Sequence, residues 1–146
     1  MPSKERQTAD TIVQAYNRMD IDTIVSLRTP DCKRIFLPSS LKYPSQSNDA
    51  FRANLTSMKS IFTNFKVTVH DVIESGSTSA IVIFASARGD TPIGVYENEY
   101  VWKMTFEEGG ERVCGWSEFV DVGMARDFLP KLMEEMKRRA TQGAGQ

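Results

Sequence analysis

The sequence predicts one α+β domain, in which helices pack on one face of a curved antiparallel sheet. Three observations lead there. Apolar residues recur at helical spacing through the first sixty or so residues and switch to strict alternation after about residue 65. Four alternating segments then follow one another, separated by short turn-forming sequences, as in a run of hairpins. No repeat or linker divides the 146 residues, a length that buries about two-thirds of its unfolded surface in a single core. The whole of 1–146 is therefore read as one domain.

The elements follow in order. Residues 3–17 read as a helix, with Ala9, Ile12, Val13 and Tyr16 on one stripe. A short helix spans about 21–27, capped by Asp20 or Asp22, and Pro30 ends that unit. Residues 31–37 form a short strand stopped by Pro38, and a loop runs to Ser47. Ser47 opens a third helix whose buried stripe is Phe51, Leu55, Met58, Ile61 and Phe62. Strands are expected at 65–74, 79–88, 94–106 and 112–121, with turns at 75–77, 89–92 and 107–110. The 79–88 strand is apolar on both faces, as a covered central strand is. The tail from 123 to 139 is helical, with Pro130 in a first turn, and 140–146 are expected to fray.

Composition excludes several classes. Eighteen basic residues against nineteen acidic ones leave a net charge of -1, with no basic stripe for nucleic acid. No apolar run is long enough to span a membrane. The opening MPSKERQTAD lacks the apolar centre of a secretion signal, so a cytoplasmic location is expected. Cys32 and Cys114 are then two reduced thiols, and the Asn-Leu-Thr sequon at Asn54 is idle. His70 is the sole histidine and has no cluster of metal-ligand residues around it. A phosphate-loop lysine and a dinucleotide fingerprint are both missing, so no cofactor is expected.

The chemistry concentrates in the segment GVYENEYVWKMTF, 94–106. As a strand it places Tyr96, Asn98, Tyr100, Trp102, Met104 and Phe106 on one face. Phenols and an amide where a core strand would use Val or Ile suit a ligand with an apolar body and a few oxygens. Cys114, Trp116, Glu118 and Val120 share one face of the last strand. A symmetric hairpin about Gly109 sets Glu118 opposite Glu99 or Tyr100, and parity selects Tyr100. A carboxyl group among aromatic neighbours has its pKa raised by desolvation and can act as an acid or base near neutrality. Arg34 shares a face with Cys32 and Phe36 and would enter the same cavity, paired with Glu118 or with a developing oxyanion on the ligand. Asp71 could replace Glu118 if it lined the cavity, and Asp121 has the position of a helix cap.

The element order, the loop LPSSL, and the segments YENEYVW and EFVD resemble the SnoaL-like branch of the NTF2-like superfamily. The chain is similar to small fungal proteins encoded in secondary-metabolite clusters, which include isomerases of the meroterpenoid type and an isomerase, or semipinacolase, of the brevianamide type. The resemblance implies a cone-shaped domain and a homodimer formed through the sheet. It also implies Arg34, Tyr96, Tyr100 and Glu118 as catalytic residues. Asn98, Trp102 and Trp116 would complete the substrate-binding wall. The expected function is a cofactor-independent isomerase or cyclase acting on a polycyclic natural-product intermediate, with Glu118 moving the proton. Two other readings of the same pocket are a binding module that steers a spontaneous rearrangement by shape and a dimerisation domain with a remnant cavity.

Overall fold

A computed structural model describes residues 2–76 and 79–144. Helix α1, Lys4–Arg18, starts at Ser3, whose hydroxyl accepts from the Arg6 amide. Its buried face includes Ala9, Ile12, Val13 and Tyr16, the stripe expected from spacing. Helix α2, Ile21–Ser26, is capped by Asp20. Helix α3, Asn48–Ile61, is capped by Ser47 and buries Phe51 and Leu55 completely. The strands are β1 Arg34–Leu37, β2 Thr63–Glu74, β3 Ala80–Thr91, β4 Gly94–Phe106 and β5 Val113–Val120. A π-helical turn, Met124–Phe128, then leads into α4, Leu129–Ala144. Among the described residues no helix is long and apolar enough to cross a membrane.

The five strands form one sheet in the order β1-β5-β4-β3-β2. Three neighbouring pairs are antiparallel, but β1 lies parallel to β5. That departs from the wholly antiparallel sheet expected, because the chain between β1 and β5 crosses the full width of the sheet before returning. Alternation along β4 is complete: Tyr96, Asn98, Tyr100, Trp102, Met104 and Phe106 are all buried, and no residue between them is. The inner face of the sheet meets α1 and α3 around one core, in which Tyr16, Phe51, Trp102 and Trp116 interlock ring against ring.

Several boundaries shift for physical reasons. β1 begins only at Arg34, because 27–33 is held as an irregular connection by Arg28. That buried guanidinium donates to Asn48 Oδ1 at 2.8 Å and to the Cys32 carbonyl at 3.2 Å, over the Phe51 ring at 4.3 Å. Gly89 lies inside β3 instead of in a turn. A Cβ there would stand 2.8 Å from Phe62, so glycine lets that ring close over the strand. α4 continues to Ala144, past the expected end at 139, and Pro130 occupies its second position. Of the turn expected at 75–77, Ser77 lies outside the described residues, as do 145 and 146 of the expected frayed tail. Cys32 is buried, Cys114 is half-buried, and both are free thiols.

Phe51 is the ring on which α3, β5 and the two buried arginines converge. Phe51→Ala should therefore lower stability by about 3–5 kcal/mol, the usual cost of emptying a well-packed aromatic site. Chemical denaturation measures it, and a loss below about 1 kcal/mol would contradict this packing.

Candidate active site

Glu118 stands on the inner face of β5 and is 2% exposed. Its Oε1 accepts from Arg34 Nη2 at 2.5 Å and from Trp102 Nε1 at 2.8 Å. Of the two partners expected for Arg34, the structure shows Glu118, and the acid sits in an ion pair braced by an indole. The hairpin register explains why Trp102 is its partner. Trp102 pairs with Glu118 and Tyr100 with Val120, two residues from the register estimated above. A bulge between Thr105 and Phe106 and a longer connection displace the strand. Because the displacement is even, Glu118 keeps its inward face. Arg34 is fixed further by Gln46 Oε1 at 3.3 Å and Asn54 Oδ1 at 3.5 Å, and its guanidinium packs on the Phe36 ring at 4.7 Å. Burial pulls that guanidinium's pKa down, but Glu118, with help from Tyr16 and Tyr100, holds it above its ordinary value.

Beside this pair lies a hydrogen-bonded phenol pair. The hydroxyls of Tyr96 and Tyr100 bond to each other, and Asn98 Nδ2 donates to the Tyr96 oxygen at 2.8 Å. Asn98 Oδ1 in turn accepts from the Asp121 amide at 3.1 Å. Burial pushes Tyr96 up to about 12, although the bond from Asn98 works against it. Burial also raises Tyr100 well above the ordinary phenol value. Both phenols are therefore protonated, and both can donate, at neutral pH.

Arg34, Tyr96, Asn98, Tyr100 and Glu118 all line one cavity of about 380 Å³. Among the described residues no hydrogen bond engages Glu118 Oε2, and Tyr100 has no hydroxyl partner other than Tyr96. The opposite wall is apolar and comes from two helices: Met58 and Ile61 of α3, and Leu129, Leu132, Met133 and Met136 of α4. Sequence reasoning did not find Gln46 and Asn54, the two amides on Arg34. Asn54 was visible only as part of a sequon, and Gln46 sits in a loop without periodicity. Trp102 and Trp116 need correction as wall residues. Each is almost wholly buried and lies outside the cavity lining, since both rings are taken up by the core beneath, 5.4 Å apart. Asp71 is exposed, His70 bonds to Ser86 among exposed side chains, and Asp121 caps the turn after β5 through the Gly123 amide at 2.9 Å. A larger open cleft of about 720 Å³ runs from the end of α3 to α4. Its charged residues, Asp90 and Arg139, are not among the buried polar groups, unlike Arg34 and Glu118 of the smaller cavity.

A bent sheet closed by helices over a cavity with a polar floor is the architecture of an NTF2-like cone. The chain belongs to the SnoaL-like domain family, which matches residues 9–116. It is 32% identical over 130 residues to monooxygenase AacuP of Aspergillus aculeatus, covering 89% of this chain and 90% of that one. It is 28% identical over 139 residues to austinoid biosynthesis cluster protein H of Aspergillus calidoustus, covering 91% and 94%. Among solved structures it resembles PrhC from Penicillium brasilianum, with a TM-score of 0.83, 23% identity and coverage of 90% and 89%. It also resembles BvnE pinacolase from Penicillium brevicompactum, with a TM-score of 0.81, 23% identity and coverage of 94% and 96%.

The buried ion pair sets up a test of non-additivity. Arg34→Met alone leaves a carboxylate unpaired in the interior and should cost about 3–5 kcal/mol. Adding Glu118→Leu should recover much of that loss. Urea unfolding of the single and double variants measures both, and purely additive losses would show that the two charges are not coupled.

Proposed function

We propose that the chain is a cofactor-independent isomerase or cyclase that rearranges a polycyclic natural-product intermediate by acid–base chemistry. The observation that supports this is the shared floor: a carboxylate with one oxygen unengaged, beside two protonated phenols, beneath an apolar wall. Glu118 Oε2 removes a proton from the substrate and returns it at another atom, so nothing is consumed. Arg34 holds the carboxylate in place, and the phenol pair offers a hydrogen bond to a carbonyl or indoxyl oxygen as negative charge builds there. Fold similarity to a protein called a pinacolase and relatives in biosynthetic clusters agree with the reaction class and the kind of substrate.

A second reading is favoured by the names of relatives such as AacuP, which is called a monooxygenase. One experiment separates the two. Purified protein is incubated with polycyclic ketone and indoxyl intermediates, and product mass and oxygen consumption are followed. Isomerisation leaves the mass unchanged and takes up no oxygen, whereas oxygen insertion adds one oxygen atom. Under the first reading Glu118→Gln lowers turnover by about a hundredfold to ten-thousandfold while the protein stays folded. Full turnover in that variant would leave the cavity as a template that acts by shape.

We also infer that the chain pairs with a second copy through the outer face of the sheet. An apolar row crosses that face from Leu37 through Phe119 and Val101 to Phe84, each paired in register with the next. Phe119 is 49% exposed and Ile35 beside the row is 48% exposed. Contiguous apolar surface of this kind marks an interface. Sedimentation at micromolar concentration should show a dimer that Phe119→Glu converts to monomer. A monomeric parent protein would remove the inference.

A further inference from the structure

We infer that Asn98 is a positioning residue: it sets the direction of the phenol hydrogen bonds so that Tyr100 alone presents a hydrogen to the ligand. The inference rests on the reading above that this cavity binds a ligand through an oxygen atom. It assigns different roles to two phenols that otherwise look equivalent.

The direction follows from donors and acceptors. The Asp121 amide can only donate, so the Asn98 atom facing it is the carbonyl oxygen, Oδ1. That leaves Nδ2 toward Tyr96, where it donates to the phenol oxygen. Either phenol could donate in the bond between them; with Nδ2 already on its oxygen, Tyr96 is the poorer acceptor of the two, which favours its hydroxyl as the donor to the Tyr100 oxygen. Tyr100 is then the end of the series, with its hydrogen unclaimed and the cavity in front of it. Each bond in such a series polarises the next, so Tyr100 becomes a stronger donor than an isolated phenol. The amide that sets the direction is itself held by the first residue of the segment carrying Ala125, Leu129 and Leu132 over the cavity. Phe128 of that segment lies 5.9 Å from the Tyr96 ring.

The probes are two neutral molecules of nearly the same shape: 2-acetylnaphthalene, which offers a carbonyl oxygen, and 2-isopropenylnaphthalene, which does not. The protein should bind the ketone roughly threefold to tenfold more tightly, the worth of one net hydrogen bond. The infrared carbonyl stretch of the bound ketone should lie below its value in an alkane. Tyr100→Phe should abolish both the preference and the shift, while Tyr96→Phe should weaken them without removing them. Asn98→Asp, read at pH 8, keeps an acceptor for the Asp121 amide but offers Tyr96 a second acceptor. The series then reverses, Tyr100 donates to Tyr96, and the preference and shift disappear. That substitution should add nothing in a Tyr100→Phe background. The preference is read in each variant as the ratio of its affinities for the two probes, and near-UV circular dichroism of each variant reports an intact core. The inference is overturned by a shift that survives Asn98→Asp, by one abolished by Tyr96→Phe and not by Tyr100→Phe, or by a parent protein with no preference for the ketone. The acid–base reading fails separately, on turnover in Glu118→Gln, so the two failures are distinguishable.

Discussion

The guanidinium of Arg34 and the carboxylate of Glu118 meet in the interior of the cone, and the site depends on that meeting. Placing two charges away from water is expensive and is offset only when further polar groups satisfy them. Here Trp102 supplies a second donor to the carboxylate, and Gln46 and Asn54 supply acceptors to the guanidinium. Satisfying the pair therefore draws β1, β4, β5, α3 and the loop before α3 to one point. A buried pair is weak evidence for stability, since well-packed apolar residues often serve as well. Its place at the floor of a cavity accords with the function proposed above.

The phenol pair shows how a local pattern becomes chemistry. Tyr96 and Tyr100 are four residues apart on one strand, so both face inward and their hydroxyls can bond directly. Asn98, between them on the same face, reaches one phenol on one side and the backbone of Asp121 on the other. Strand geometry thus brings two phenols and the amide bonded to one of them within a five-residue span. The carboxylate comes from the neighbouring strand, where an even displacement of the register moves its partner without turning it over.

The period-two face of β4 was fully legible, because alternation needs no knowledge of the rest of the chain. The same held for Ser47 and Asp121, and for Asp20 as one of the two caps expected for α2, since such side chains act within a few residues of their own position. The parallel pairing of β1 with β5 was not legible, since it joins segments about eighty residues apart and leaves no local mark. The two-residue error in the hairpin arose because a bulge has no fixed sequence signature. Trp102 and Trp116 were placed on the right face but at the wrong depth, and depth depends on what α1 and α3 put above them. Gln46 and Asn54 escaped notice because an amide that braces a charge looks like any other polar residue.

The cavity is made of two unlike materials. Its reactive floor is strand-borne and tied together by hydrogen bonds, whereas its opposite wall is a set of unbranched and aliphatic side chains on α3 and α4. Methionines in such a wall adapt to many shapes and tolerate exchange. Drift among those helical positions can therefore change which scaffold is admitted while the acid, the cation and the phenols stay where they are. A lineage built this way can acquire new substrates without reinventing its chemistry.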